Sequence, residues 1–216
     1  MLDASETVRR KSCGDAILRA AADEFAEKGY GGARVDEIAR RANVNKATLY
    51  YRIGDKETLY HAVLECVMGG IADDVASAVS MADNSEEKIR QFVLVIARNT
   101  EEMGYTAPIM LREVASGGSH LPDHALAHMN RLLGALDSAL ADGVKQGIFR
   151  PVNSFFVHMM VIGSIMLYAV NEPIRQRIIA QHAESKAPNQ TVTMVRAAEQ
   201  VSELVLAAIQ NTKPRK

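Results

Sequence analysis

Apolar residues recur along most of this chain at intervals of three and four positions. In the segment from about residue 12 to 28, for example, Ile17, Ala21 and Phe25 follow one another at steps of four. Such spacing puts the apolar side chains on one face of an α-helix, whereas a half-buried β-strand needs them at every second position. Alternation of the second kind is almost absent. The pattern therefore predicts an all-α protein.

Breaks in this periodicity divide the chain into helices. Gly29 stands where a left-handed residue often ends a helix, and Asp55 is placed to cap a helix that begins at Lys56. Segments rich in Gly, Pro, Ser or Asn separate most of the later helices. The predicted helices cover about residues 12–28, 35–41, 46–52, 56 to beyond 68, 85–103, 108–115, 122–146, 154–182 and 191–210.

The segment FFVHMMVIGSIMLYAV, residues 155–170, is apolar almost throughout. It is shorter than the roughly 20 residues that a helix needs to cross a bilayer, and it contains His158. A helix that is apolar on all sides is usually buried in a large protein or in an oligomer. We therefore predict a buried helix here, with a membrane span as the less favoured alternative.

The chain changes in character near residue 60. Up to that point the predicted helices are short, charged residues are dense, and four of the six tyrosines occur. Beyond it the helices are long and rich in methionine. This change predicts two modules, 1–60 and 61–216, that share a connecting helix.

The overall charge excludes a basic coat over the whole surface, because 216 residues carry a formal net charge of −1. Within residues 34–56, however, six basic side chains face three acidic ones, a local net charge of +3. A concentrated patch of this kind can bind nucleic acid even when the total charge is near zero. The 48% hydrophobic and 24% charged content is that of an ordinary globular protein.

Catalytic and redox signatures are missing from the sequence. It contains no GxSxG, P-loop, HExxH or GxGxxG motif, so we expect neither an enzyme nor a bound cofactor. Cys13 and Cys66 form no CxxC or Cys/His cluster, and we predict reduced, packed thiols. The polar N-terminal residues lack the apolar core of a secretory signal, which predicts a cytoplasmic protein.

Three histidines, His120, His124 and His128, are spaced by four residues. On a helix, His124 and His128 would share a face and could hold a metal ion. His120 precedes Pro122 in a predicted loop, however, and no second cluster supplies further ligands. We therefore predict no metal site.

The two short helices at 35–41 and 46–52, joined by a tight turn, are typical of a helix-turn-helix. Asn43 lies in the turn, where asparagine tolerates a positive φ, and Asn45 is a good N-cap for the second helix. The apolar residues of the pair are expected to face inward. They are Val35, Ile38, Ala39, Val44 and Leu49.

The outer face of the second helix carries groups suited to DNA. Lys46, Ala47 and Thr48 occupy its first turn, which a recognition helix presents to base edges. The phenols of Tyr50 and Tyr51 can donate to phosphate oxygens. The alternative is that the tyrosines are half-buried packing residues and that the charges only solvate the helix, since helix-turn-helix geometry also occurs in proteins that bind no DNA.

Residues 16–64, with VDEIARRANVNKATLYYRIGDKETLYHAV at their centre, resemble the DNA-binding domain of the tetracycline-repressor (TetR) family of bacterial regulators. The shared pattern is a helix ending in Gly, a V-x-x-I-A helix, and a V-[S/N]-x-x-x-L-Y-x-x-F-x-x-K-x-x-L segment. Arg34, Asn43 and Ile53 depart from it, standing where the family has Thr or Ser, Gly, and an aromatic residue. The resemblance implies that these residues contact DNA: Asn45, Lys46, Ala47, Thr48, Tyr50, Tyr51, Arg52 and Lys56. Arg34, which replaces a hydroxyl cap, is expected to add a phosphate contact of its own.

The same resemblance implies an effector-binding and dimerisation domain over residues 61–216, with the last two helices of each chain forming the dimer interface. It implies a ligand-responsive repressor that binds a palindromic operator as a homodimer. The candidate effector-binding residues are Met103, Tyr105, Met110, His158, Met159, Met166 and Tyr168. For any single one of them, packing in an ordinary core is the favoured alternative.

The last helix carries an apolar stripe that we predict to face a partner subunit. It consists of Met194, Ala198, Val201, Val205 and Ala208. The alternative function is a helix-turn-helix protein that acts mainly through protein contacts, which the absence of salt-dependent DNA binding would favour.

Overall fold

The computed structural model describes residues 15–181 and 192–211 of the chain. Apart from one isolated bridge between Phe149 and Gln210, the regular structure of these residues is helical, and the predicted all-α class is confirmed. The ten helices of this described part are α1 (Ala16–Gly32), α2 (Val35–Arg41), α3 (Lys46–Ile53), α4 (Lys56–Met81), α5 (Ser85–Glu102), α6 (Thr106–Ala115), α7 (Asp123–Lys145), α8 (Ser154–Val170), α9 (Glu172–Gln181) and α10 (Met194–Ile209).

Short polar side chains begin several of these helices. The Asn45 carboxamide oxygen accepts from the Thr48 amide at 2.7 Å, and the Asp55 carboxylate accepts from the Thr58 amide at 2.8 Å. These two bonds satisfy amide groups of the first helical turn that have no partner within the helix. Both predicted caps are therefore confirmed. Asn84, Asn153 and Thr193 cap α5, α8 and α10 in the same way.

Two positive φ angles occur where the sequence predicts them. Gly29 has φ 69° and Asn43 has φ 55°. The helix does not end at Gly29, however, because α1 resumes and runs to Gly32 with a kink at the glycine. The first helix thus ends four residues later than the predicted end at residue 28.

The helix predicted over residues 154–182 is broken in two. Asn171 ends α8, and α9 starts at Glu172 with its axis turned by 67°. Pro173 explains the break, since proline lacks an amide hydrogen and its ring clashes with the carbonyl four residues earlier. In the described part of the chain no single helix is long and apolar enough to span a membrane, and only the bent pair α8–α9 passes such a test jointly.

The predicted buried helix α8 is buried along one face within the described chain, while its other face is exposed. Because the prediction allowed burial in an oligomer, it stays a prediction for the exposed face. Val161 and Ile165 are fully buried, whereas Phe156 is 69% exposed. The burial pattern follows the helical period and divides α8 into two faces. The exposed apolar residues of α8 are Phe155, Phe156, Met159, Met160 and Leu167.

The apolar stripe of α10 packs mainly inside its own subunit. Met194, Ala198 and Val205 are buried, in a region where α10 packs on α5 and α8. The prediction that this stripe faces a partner is therefore wrong for these three residues. The exposed residue Leu204 lies on a different face of α10.

The described residues divide into two compact units. The first comprises residues 15–73 with Pro108–Asn130, and the second comprises Asp74–Ala107 with the described residues from Arg131 onward. Segment 108–130 thus belongs to the unit that contains α1–α3, although it is distant in sequence. The functional boundary predicted near residue 60 stays a prediction.

The core of the second unit contains one close approach that requires glycine. A Cβ on Gly143 would lie 2.0 Å from the Phe149 ring, which is itself buried. Any larger residue at this position would displace the ring. The approach lets the turn after α7 fold back, so that the Arg150 amide donates to the Ile209 carbonyl at 2.9 Å.

Cys66 is buried in α4 and is disulfide-bonded, so the prediction of a reduced thiol is wrong at this position. The other cysteine of the sequence, Cys13, lies outside the described residues. Spacing along the chain identifies Cys-x-x-Cys sites but does not reveal which distant residues meet.

Candidate DNA-binding surface

The α2–turn–α3 segment has the packing of a helix-turn-helix. Ile38, Ala39 and Leu49 are buried, as the sequence predicts. The turn closes through the Val44 amide, which donates to the Ala39 carbonyl at 3.0 Å. Asn43 adopts the positive φ that this tight turn requires.

The opposite face of α3 is open to solvent. Tyr51 is 93% exposed and Tyr50 43%, so neither phenol is a packing residue in the usual sense. Lys46 and Ala47 are also exposed, and Thr48 is half-buried. The residues of α3 that are predicted to contact DNA are therefore accessible along the outside of this short helix, apart from the half-buried Thr48.

Lys46 has a counterion that the sequence reading missed. Its ammonium lies 2.7 Å from the Asp36 carboxylate of α2. This contact lowers the pKa of Asp36 and raises the pKa of Lys46, chiefly through the hydrogen bond between them. Asp36 precedes Lys46 by ten positions, and no local sequence signal joins them. Any phosphate or base that binds Lys46 must compete with this carboxylate.

Arg52 is also engaged. Its guanidinium lies 2.5 Å from the carboxylate of Asp15, the N-cap of α1. Both side chains remain partly exposed, so the pair is accessible to solvent. The pairing holds the end of α3 to the start of α1, and exposed pairs of this kind contribute about 1 kcal/mol or less to stability.

Arg41 joins α1 to α2 through three carboxylates. Its guanidinium lies 2.8 Å from Glu27, 3.2 Å from Glu37 and 3.2 Å from the buried Glu24. Hydrogen bonds from Arg40 and Arg41 lower the pKa of Glu37 to about 2. These two arginines therefore hold α1 and α2 together. Because their charge is paired with carboxylates, the positive charge available to DNA is smaller than the local net charge of +3.

The start of α2 shows how Arg34 is accommodated in place of a hydroxyl residue. Its side chain makes no capping hydrogen bond, and its backbone amide donates to Glu24 Oε1 at 3.3 Å. A buried carboxylate from α1 thus takes the amide at the helix entrance, which leaves the Arg34 side chain exposed.

Lys56 lies at the start of α4 above an aromatic ring. Its ammonium is 4.9 Å from the centroid of the Tyr30 ring and 3.4 Å from the Gly31 carbonyl oxygen. A cation over the face of a phenol is attracted by the ring quadrupole. Tyr30 therefore positions Lys56, a role that the sequence reading did not assign to it.

The predicted effector residues lie in different surroundings. His158 and Met166 are buried in the second unit, while Met159 is exposed on α8. The Tyr168 hydroxyl donates to the Val192 carbonyl at 2.7 Å. Met110 is buried but belongs to the first compact unit. Met103 and Tyr105 are half-buried in the second unit.

Comparison with known families assigns both parts of the chain. The family described as bacterial regulatory proteins, tetR family, matches residues 17–63, which contain α2 and α3. The family described as tetracyclin repressor-like, C-terminal domain, matches residues 86–198, more than half of the chain. The chain belongs to the TetR family.

Individual relatives of this TetR-family protein are distant. The HTH-type transcriptional regulator RutR of Escherichia coli K12 is 27% identical over 158 residues, covering 71% of this chain and 72% of RutR. IcaR of Staphylococcus aureus strain Newman, a negative transcriptional regulator of a biofilm operon, is 30% identical over 88 residues, 41% of this chain and 47% of IcaR.

Solved structures share the fold of the TetR-family chain. The regulator FadR of Bacillus subtilis, in complex with stearoyl-CoA, superposes with a TM-score of 0.68. The sequences are 19% identical, and the match covers 90% of this chain and 98% of FadR. The protein is thus a DNA-binding transcriptional regulator of TetR architecture.

Proposed function

We propose that this protein is a ligand-responsive repressor that binds a pseudo-palindromic operator as a homodimer. The two ends of α3 have different roles. Lys46 and Thr48 contact base edges, while Tyr50, Tyr51 and Arg52 contact phosphates. Lys56 and Arg34 add phosphate contacts at the starts of α4 and α2. Asn45 and Ala47 let the helix start approach the base edges.

The observation that carries this proposal is the contrast between neighbouring residues of α3. Leu49 is 0% exposed and fixes the helix against α2, while Tyr51 is 93% exposed two residues later. An exposed phenol gains nothing from the core, but it can donate to a phosphate oxygen while its ring lies along a sugar. This contrast favours a DNA contact over a packing role.

The homodimer is supported by the exposed face of α8. Phe155, Phe156, Met160 and Leu167 leave an apolar surface on one helix. Contiguous apolar surface of this kind marks an interaction site in soluble proteins, and obligate interfaces resemble a domain core cut in half. A two-fold dimer repeats its half-sites about one DNA turn apart, roughly 34 Å or slightly more.

The effector-binding role is supported by His158. It is 5% exposed, its ring lies 6.2 Å from that of Phe92, and its Nδ1 has no hydrogen-bond partner among the described residues. A buried polar atom without a partner is costly, and a ligand group could satisfy it. We infer an amphipathic effector with a hydrogen-bonding group near His158 and an apolar body against Met166.

Effector binding would lower DNA affinity by linkage. A ligand that prefers the arrangement unable to bind DNA weakens DNA binding by its differential affinity for the two arrangements. Thermal-shift screening followed by operator binding tests this. A result in which every stabilising ligand leaves operator affinity unchanged contradicts the sensor role. A repressor of this kind acts in the cytoplasm, where its operator lies.

Selection of bound sequences from random duplex DNA tests the predicted base contacts of α3 directly. Lys46→Ala or Thr48→Ala is expected to change the preferred base at one position of each half-site, by about 1–3 kcal/mol if the side chain contacts a base edge. Lys56→Ala is the matched control. It is expected to weaken all sequences alike and to lower the salt slope by about one unit.

Two outcomes separate the proposal from its alternative. If Lys56→Ala changes the consensus sequence of the selected DNA and Lys46→Ala does not, α3 is not the recognition helix. Absence of any salt-dependent binding to duplex DNA would favour a helix-turn-helix protein that acts through protein contacts.

A further inference from the structure

Three histidines and one glutamate gather on adjoining surfaces of α4 and α7, within the first compact unit. His61 and Glu65 lie one helical turn apart on α4, and His124 and His128 lie one turn apart on α7. Nε2 of His128 is 2.8 Å from Glu65 Oε1, and Nε2 of His124 is 3.5 Å from Glu65 Oε2. The rings of His61 and His124 meet edge to face, with centroids 6.3 Å apart.

This arrangement supplies the ligands that the sequence alone does not bring together. Our prediction of no metal site rested on the lack of a second cluster near His124 and His128. The second cluster is on α4, about sixty positions earlier, and helix packing brings it alongside. Gly69 favours the approach, because a Cβ there would lie 3.2 Å from His128 Nε2.

The donor types select a class of ion. Imidazole nitrogens suit zinc, nickel, cobalt and copper, whereas calcium and magnesium take oxygen ligands. Two histidines four residues apart on one helix can hold a single zinc ion, and a carboxylate commonly completes such a set. We propose that Glu65, His124 and His128 bind one divalent transition-metal ion, zinc being the representative, with His61 as a fourth ligand.

Closing the site requires a side-chain rotation. Among the described residues no three donor side chains already surround a common point. The Glu65–His128 pair is close to the required geometry, since two ligand atoms on a tetrahedral zinc ion lie about 3.3 Å apart. The His124 side chain is 52% exposed, so its ring is free to turn toward the other two.

Bound metal would join α4 to α7 inside one compact unit. It would stabilise the folded chain by mass action, whatever the chain does with DNA. The proposal therefore stands independently of the proposed function.

Zinc titration of the full-length chain, free of any histidine tag and stripped with chelator, tests the proposal. Isothermal calorimetry at pH 7.5 should give one ion per chain, and the melting temperature should rise with zinc. His124→Ala and Glu65→Gln should each weaken binding at least about ten-fold. His124 is half exposed, so its variant should fold, which circular dichroism checks.

His120→Ala is the matched control. His120 lies on the same segment but contacts Glu113 at 3.1 Å, so zinc affinity should be unchanged in this variant. Two results overturn the proposal: no saturable zinc uptake by the unmodified chain, or uptake that survives in the His124→Ala, His128→Ala double variant. The second result places the ion elsewhere on the chain.

Discussion

Helices α3 and α8 both expose large side chains, but of opposite character. The large exposed side chains of α3 end in groups that form hydrogen bonds, and two of them, Lys46 and Arg52, already have carboxylate partners. Those of α8 are phenylalanine, methionine and leucine. Water satisfies the first set, whereas the second set gains free energy only when another apolar surface covers it.

The contrast shows which exposed side chains are stable in a single subunit and which gain from contact with a partner. The outer face of α3 is stable as it stands, so changing it should alter DNA binding and leave folding intact. The outer face of α8 is consistent with an interface, so changing it should alter assembly. In both helices the inner face belongs to the core, and changes there should alter stability.

The largest expected effect comes from two neighbouring residues of α10. Val205 is 1% exposed, whereas Leu204 is 69% exposed. Val205→Glu would bury a charge without a partner, and we expect a loss of more than about 4 kcal/mol in the free energy of unfolding. Leu204→Glu should keep the helical circular dichroism and yield monomers in analytical ultracentrifugation.

The unmodified chain should sediment as a dimer of twice 23.6 kDa at micromolar concentration. Monomeric behaviour of the unmodified chain contradicts the proposed interface. A Leu204→Glu variant that remains dimeric would move the interface away from the outer face of α10, and Phe156→Glu on α8 then tests the other helix.

The next effect distinguishes the two faces of α3. Leu49→Ala should destabilise the chain by about 2–5 kcal/mol, because it opens a cavity at a fully buried position. Tyr51→Ala should leave the melting temperature within about 1 °C while weakening binding to every DNA sequence, since exposed substitutions change stability little. Thermal melts and fluorescence anisotropy with operator DNA measure the pair. Equal loss of stability in both variants would assign Tyr51 to packing.

A pH titration examines the buried polar group of the second unit. Burial lowers the pKa of His158 below its usual 6.5, so the unfolded chain binds more protons once the pH falls below that value. Stability should be full above pH 6.5 and should fall toward the folded pKa by at most about 1.4 kcal/mol per pH unit. Urea melts at several pH values should show that His158→Gln flattens this dependence. An unchanged slope in the variant assigns it to other groups.

The smallest expected effect concerns Asp36. Asp36→Asn removes the carboxylate that lies 2.7 Å from Lys46 and also removes a negative charge near the phosphates. We expect DNA affinity to rise about three- to ten-fold and the salt slope to steepen by about one unit. Anisotropy titrations at two salt concentrations measure both. Weaker binding would instead mean that Asp36 holds Lys46 in the reading position.

The helix-turn-helix was predictable because its signals are local. Asn43 in the turn, Asn45 at the cap and Leu49 toward α2 each follow from side-chain chemistry within a few residues, and all three are confirmed. The break at Pro173 was equally local but was missed, because the long apolar run before it dominated the periodicity.

The partners of these residues were not predictable. Asp36 against Lys46, Glu24 against Arg41 and Tyr30 beneath Lys56 depend on the angles at which short helices pack. The sequence contains the charges, but ion pairs between helices have no fixed spacing. The local net charge of +3 counted over residues 34–56 therefore overstated the positive charge available to DNA.

The sequence by itself determined the all-α class, most helix boundaries and the helix-turn-helix typical of the TetR family. Helix propensity, capping and hydrophobic periodicity each act over a few residues. Only the tertiary structure decided which face of α8 and α10 is core, and which distant side chains meet, as Glu65 meets His128. The physical reason is that an apolar stripe on a helix predicts that this face is buried but does not show which other element covers it. That depends on how whole helices pack against one another.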